Sequence, residues 1–330
     1  MKEKKKVNKK RLIILAVVIV IFVAVASQGY NIYMGTFTFG ITTEMDTQLD
    51  DDLSSHFVKY GKLDGITFQK GTFEKVTYDT TDDVGNPKTN YVQVYLPYGY
   101  DANRSEPYNI LYFQHGAGSD QEIFTASTPK NWLDNLFLTD EVEALILVFS
   151  STYSVDEYIN DIIPTVEARY NTYAKSDVSE TNLVATRDHR GMSGYSMGCG
   201  FTWTMIQSEK GLDYFKWWSP MSMGCTGPGD RVSGNLGEQA YEKLKAAIDA
   251  HPDRDFFIYC VTGDEKADGV GTPLRMEIPY LAQQEEFTYG TNIVEGDNLY
   301  LLITDFKHTD LVVPFSYYNS LQVLFTGFAE

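Results

Sequence analysis

The chain has 330 residues, with 27 Lys and Arg against 45 Asp and Glu, five His and three Cys. That length covers one large domain or two small ones with ample surface to bury a core, and 43% hydrophobic residues exclude disorder of the whole. The net charge of −18 disfavours nucleic acid or an anionic lipid surface as the main partner, and three Cys cannot make a disulfide framework in so long a chain.

The charge is unevenly spread, because residues 1–11 hold seven Lys or Arg and one Glu, which leaves the remainder more acidic still. Leu12 to Ala26 are fifteen consecutive apolar residues, closed by Ser27-Gln28-Gly29. As a helix they span roughly 22 Å at 1.5 Å per residue, short of the roughly 30 Å hydrocarbon core. Ala24-Val25-Ala26 offers the small-x-small pattern that a signal peptidase cuts. Residues 1–26 are therefore expected to be a cleaved signal peptide, with an uncleaved N-terminal membrane anchor as the alternative. The body is expected to be secreted or held at the cell surface, touching a membrane only through an uncleaved leader. Residues 27–65 read as an acidic lead-in with Glu44, Asp46 and Asp50-Asp51-Asp52. That spacing lacks the alternating ligands of a calcium loop and fits a solvated segment.

From about residue 66 the rhythm changes. Val92, Val94 and Leu96 alternate with Gln93 and Tyr95, as in a half-buried strand ended by Pro97-Tyr98-Gly99. Short apolar runs recur at Ile110-Phe113, Ala144-Phe149, Phe256-Val261 and Leu299-Ile303, which suits strands covered on both faces. Helical stretches are expected at about 155–172, 197–209, 237–250, 273–286 and 315–327. Strands alternating with helices predict one doubly wound α/β domain over 66–330, with a mostly parallel sheet and helices on both faces.

Gly194-Tyr195-Ser196-Met197-Gly198 is a G-x-S-x-G pentapeptide lying between a predicted strand (about 189–195) and a predicted helix. In that context the serine sits on a tight, strained turn at a helix N-terminus, a nucleophile elbow. A nucleophilic serine needs a base and an acid to orient it, and behind such an elbow they follow in the order acid, then histidine. Only His251 and His308 come after Ser196. His251 lies in Ala250-His251-Pro252, where capping a helix end is the expected role. His308 follows the Leu299-Ile303 strand, at the edge where ligands gather in open α/β sheets. The acid is placed at Asp264, which follows strand 256–261 through Thr262-Gly263; Glu265 and Asp268 are nearby alternatives, and Asp305 is a weaker one. The oxyanion of a tetrahedral intermediate needs backbone donors. These are assigned to the N–H groups of Met197 and of Ala117, the latter on the loop Gln114-His115-Gly116-Ala117-Gly118 after an earlier strand. His115 precedes the serine and is expected to hold that loop.

These blocks resemble an esterase family of α/β hydrolases that includes the feruloyl and acetyl-xylan esterases of carbohydrate esterase family one, S-formylglutathione hydrolase (esterase D) and the mycolyltransferases. The resemblance runs over about 72–328. It rests on Val94-Tyr95-Leu96-Pro97-Tyr98-Gly99-Tyr100-Asp101, Ile110-Leu111-Tyr112-Phe113-Gln114-His115-Gly116, Asp161-Ile162-Ile163-Pro164, Arg187-Asp188-His189-Arg190, the pentapeptide, Thr262-Gly263-Asp264 and His308. By position it implies the α/β-hydrolase fold, Ser196 as nucleophile, Asp264 as acid, His308 as base, and Ala117 and Met197 as oxyanion donors. Two departures stand out: the usual H-G-x-G-G loop reads His115-Gly116-Ala117-Gly118-Ser119, and the usual Gly after S-M-G is Cys199. The resemblance and the exported, acidic body together imply a serine esterase removing feruloyl or acetyl groups from plant cell-wall polysaccharide such as xylan. An acyltransferase on the same triad, and a non-catalytic carbohydrate-binding or adhesion module, are the alternatives.

Aromatic candidates for stacking on a sugar or phenolic ring are Trp132, Tyr153, Tyr158, Trp217 and Trp218, each also a natural core residue. Cys199, Cys225 and Cys260 are expected to be small, largely buried residues. With no H-E-x-x-H, paired C-x-x-C or His cluster, and no G-x-G-x-x-G after the first strands, neither a metal nor a dinucleotide cofactor is indicated.

Overall fold

The computed structural model describes residues 69–82, 84–138, 142–227, 234–290, 296–309 and 312–325. The leader (1–26) and nearly all of the stretch before the first strand, including the acidic lead-in (27–65), lie outside them. The alternating stretch at Val92 belongs to β2 (Pro87–Leu96), which pairs antiparallel along its length with β1 (Thr72–Thr81). The sheet continues through β3 (Ile110–Gln114), β4 (Ile146–Ser150), β5 (Arg190–Tyr195), β6 (Trp217–Met221), β7 (Phe257–Gly263) and β8 (Leu299–Thr304). The eight strands lie in the order β1-β2-β4-β3-β5-β6-β7-β8, and every pairing from β4 to β8 is parallel. The carboxyl ends of these six strands therefore share one edge, where a doubly wound sheet collects its functional loops.

Two layers of helix cover the sheet. On one face Val94, Tyr112, Val148, Met192, Trp218, Ile258 and Leu301 form a buried cluster with helical residues. The helices are α2 (Val155–Glu157, a π turn Tyr158–Ile162, then Ile163–Arg169), α4 (Met197–Ile206), α6 (Leu236–Ala250) and α7 (Thr272–Leu281). Short helices α3 (Glu180–Ala185) and α5 (Gly211–Tyr214) flank β5. On the other face α8 (Val312–Ser320) sets Tyr317 6.1 Å from Phe113, whose ring lies 5.6 Å from that of Phe149, and α1 (Ser127–Leu136) packs against α8 and meets Tyr95 through Asp134.

Sequence periodicity misjudged β2. Gln93 and Tyr95 are buried as well as Val92, Val94 and Leu96, so this end of the strand is covered on both faces. The polar partners explain how: Gln93 donates to Glu122 Oε1 (2.7 Å), and the Tyr95 hydroxyl donates to the buried Asp134 of α1 (2.9 Å). Neither β1 nor α1 stands out in the sequence. β1 buries only Val76 and Tyr78 among its ten residues, too short a stripe to read at an edge. The last two helices are also shorter than expected, ending at Leu281 and Ser320.

Candidate active site

β5 delivers Ser196 to the sheet edge and α4 begins at the next residue. Ser196 takes φ 55°, ψ −118°, a conformation that costs a non-glycine residue energy and persists only where its surroundings enforce it. The enforcement is steric. A Cβ at Gly194 would fall 2.2 Å from the Gly198 carbonyl oxygen, and one at Gly198 would fall 2.0 Å from the Gln114 carbonyl oxygen. The two glycines of the pentapeptide are thus sites of backbone-on-backbone contact. Ser196 N–H donates to Met221 O (3.0 Å), which ties the elbow to β6.

The Ser196 Oγ lies 2.8 Å from His308 Nε2. His308 stands on the loop after β8 and packs its ring against Tyr195, the centroids 4.9 Å apart. Its Nδ1 lies 3.0 Å from Oδ1 of Asp268, a carboxylate with no solvent exposure. Asp268 also accepts from Gly271 N–H (3.1 Å) and the Thr262 hydroxyl (3.3 Å). Burial pushes the Asp268 carboxyl upward, but hydrogen bonding to His308, the charge of that imidazole and the further donors outweigh it and hold the pKa below the ordinary value of 3.8.

The residue facing His308 is therefore Asp268 and not Asp264. The backbone of Asp264 still pairs with β8, its N–H donating to Thr304 O (2.7 Å). Its Oδ1 accepts from Lys266 N–H and Ala267 N–H, both at 2.8 Å, so the side chain closes its own turn. That turn carries the chain back inward, with Asp268 N–H on Asp264 O (2.9 Å), and puts the later carboxylate under the imidazole.

Ala117 follows directly on Gly116, which lies close against the serine: a Cβ at Gly116 would stand 3.1 Å from Ser196 Cβ. Met197 contributes the first N–H of α4, one of the amides that a helix cannot satisfy internally. Both amides thus belong to segments that border Ser196. His115 is buried and holds this loop as expected, its Nδ1 2.7 Å from Gly116 O and its Nε2 3.1 Å from Ser151 Oγ. His251 caps α6, its N–H donating to Ile248 O (2.9 Å).

Of the five aromatic candidates, Trp132, Tyr158, Trp217 and Trp218 are buried, while Tyr153 is 38% exposed beside the oxyanion loop. All three cysteines are buried and unbridged. Burial pushes their thiols up, and Cys199 donates to Met223 O, 2.9 Å away, so its place behind the elbow is a packing role. Sequence reasoning missed Glu277, a fully buried carboxylate of α7 that accepts from Cys225 N–H (2.7 Å) and Thr226 N–H (3.0 Å) and so pins the loop after β6.

Residues 87–208 match the family model described as "Putative esterase". The chain is 29% identical over 270 residues to endo-1,4-beta-xylanase Y of Acetivibrio thermocellus, a match covering 78% of this chain and 23% of that protein. It is 26% identical over 178 residues to an endo-1,4-beta-xylanase/feruloyl esterase of Xylanibacter ruminicola, covering 48% of this chain and 22% of that one. The chain thus spans less than a quarter of the length of these relatives. Among solved structures, a serine-to-alanine mutant of the feruloyl esterase module from Clostridium thermocellum, complexed with sinapinate, superposes with a TM-score of 0.68. It is 26% identical, covering 88% of this chain and 96% of that one.

Proposed function

We propose that the chain is an α/β-hydrolase esterase related to the feruloyl and acetyl-xylan esterases, as its relatives and matching family model support, and that it is a serine carboxylic-ester hydrolase acting through an acyl-enzyme on Ser196. The observation that carries this reading is the continuous hydrogen-bonded line from Ser196 Oγ through both ring nitrogens of His308 to buried Asp268. In the first half-reaction Ser196 Oγ attacks the ester carbonyl while His308 Nε2 takes the hydroxyl proton. Asp268 keeps the other nitrogen protonated and stabilises the imidazolium. The Ala117 and Met197 amides receive the oxyanion. As the tetrahedral intermediate collapses, the C–O bond to the alcohol breaks and His308 returns the proton to that leaving oxygen. Water then attacks the acyl-serine, His308 takes its proton, and the acid leaves as Ser196 regains its hydrogen.

The substrate we propose is a feruloyl or acetyl ester on plant cell-wall polysaccharide such as xylan, which the names of the relatives support. The site of action is outside the cytoplasmic membrane, for which the basic head and apolar run of residues 1–26 are the support. No cofactor or metal takes part in this scheme. The test is hydrolysis of methyl ferulate, an aryl acetate and esterified xylan fragments by the protein and its Ser196→Ala variant. Wild-type turnover is expected on at least one ester, with loss of at least about 10³-fold in the variant; equal rates in the two would refute the mechanism.

A further inference from the structure

Ala117 lies between Gly116 and Gly118, and Gly118 takes φ 79°. A segment with two such permissive neighbours does not fix an amide direction by itself. The direction must come from tethers, and the structure supplies them from the loop after β4. Ser151 Oγ lies 3.1 Å from His115 Nε2 and accepts from Gln121 N–H (2.9 Å), and Ser151 also contacts the Gln121 side chain. Two residues on, the Tyr153 hydroxyl donates to the His115 carbonyl (2.8 Å). That carbonyl is pressed onto the first turn of α4: a Cβ at Gly198 would lie 2.6 Å from it. The Tyr153 ring packs edge-on against Phe201 of α4 (centroids 5.7 Å apart) and against the His115 ring (5.9 Å). One side chain therefore touches both the nucleophile helix and the oxyanion loop.

We infer that Tyr153, with Ser151 as a second tether, is a positioning residue that sets the oxyanion loop against the nucleophile, its hydroxyl holding the His115 carbonyl so that the Ala117 amide keeps its place. The inference rests on the esterase reading, on which the Ala117 amide is assigned as an oxyanion donor. Burial, only partly opposed by Gln114, pushes the Tyr153 phenol above its ordinary value, which keeps it a donor throughout the neutral range. Tyr153 acts through the loop and need not touch the reacting atoms. Loss of its hydroxyl should therefore weaken binding of the tetrahedral species and leave ester binding unchanged.

The test compares wild type, Tyr153→Phe, Ser151→Ala and Ser196→Ala in kcat and KM on methyl ferulate, in affinity for an aryl boronic acid that forms a tetrahedral adduct on the serine, and in Tm. For Tyr153→Phe, kcat is expected to fall about 10- to 100-fold, less than for outright loss of an oxyanion donor. Boronate affinity should fall in parallel, with KM within about twofold and Tm within a few degrees. Ser151→Ala should show the same signature at smaller size, and it decides the matter on those criteria should Tyr153→Phe be insoluble. A kcat within about twofold of wild type, or a fall in kcat with boronate affinity unchanged, would overturn the inference. Residual activity of Ser196→Ala marks a separate outcome, because it overturns the esterase mechanism itself.

Discussion

Asp268 and Asp264 make opposite predictions from four residues' separation. Replacing Asp268 by Asn removes a charge that lies 3.0 Å, oxygen to nitrogen, from the imidazole, in a carboxyl with no solvent exposure. Taking the charge centres as about 4 Å apart at an effective dielectric of about 20, the imidazolium formed in the transition state loses roughly 4 kcal/mol of stabilisation. At 1.36 kcal/mol per decade, kcat should fall about 10³-fold, and the amide N–H₂ in place of an acceptor would favour the wrong tautomer as well. Asp264→Asn keeps an oxygen for the Lys266 and Ala267 amides, so its kcat should stay within about threefold. Both variants would be assayed by initial rates on an aryl acetate, with active sites counted by fluorophosphonate labelling and folding checked by circular dichroism. A larger loss in Asp264→Asn than in Asp268→Asn, or an Asp268→Asn rate within about tenfold of wild type, would refute this placement of the acid.

Two further outcomes follow from the packing around the elbow. Gly198→Ala should yield little folded protein, since the added Cβ meets backbone oxygens at 2.0 and 2.6 Å that cannot move without breaking the β3 loop. Soluble expression with a wild-type Tm would contradict the steric origin of the motif. Glu277 offers a pH test. Burial raises its carboxyl above the ordinary 4.5, against the opposing pull of the Thr226 hydroxyl, the Thr226 and Cys225 amides and Lys243. A raised folded pKa gives a contribution that is complete below the unfolded pKa and is lost as pH climbs through the folded one. Wild type should therefore lose Tm relative to Glu277→Gln as pH rises from about 4 towards 7; a gap that widens in favour of wild type over that range would refute the sign.

Much of this site was legible because its signals are local or ordinal. The pentapeptide marks a turn where two chain segments meet at backbone distance, and only glycine fits such contacts, so the motif survives as letters. His308 followed from counting histidines behind the serine, and its loop position from the apolar run of β8. The aromatic residues were not legible in this way. Trp132, Tyr158, Trp217 and Trp218 are core and Tyr153 is not, yet nothing in their neighbourhoods separates them. Burial depends on which helix covers which face, and α1, which buries Trp132, has no clear signature of its own.

The acid shows where positional reasoning fails. Chain order and family resemblance both placed it on the first acidic residue after β7, on the premise that a strand end points its side chain into the site. Here β7 does not release the chain at Gly263, because Asp264 N–H continues the ladder to β8. The Asp264 carboxylate is engaged in the following turn instead, accepting from the Lys266 and Ala267 amides. The carboxylate that meets the imidazole lies four residues further on, in Ala267-Asp268-Gly269-Val270-Gly271. There the Gly271 amide approaches closely enough to donate to the carboxylate, and a Cβ on Gly271 would lie 1.7 Å from the Thr262 hydroxyl. The usable sequence signal was therefore an aspartate set among glycines just ahead of a helix. A buried orienting carboxylate needs backbone donors close around it, and a glycine-rich turn is how a chain provides them.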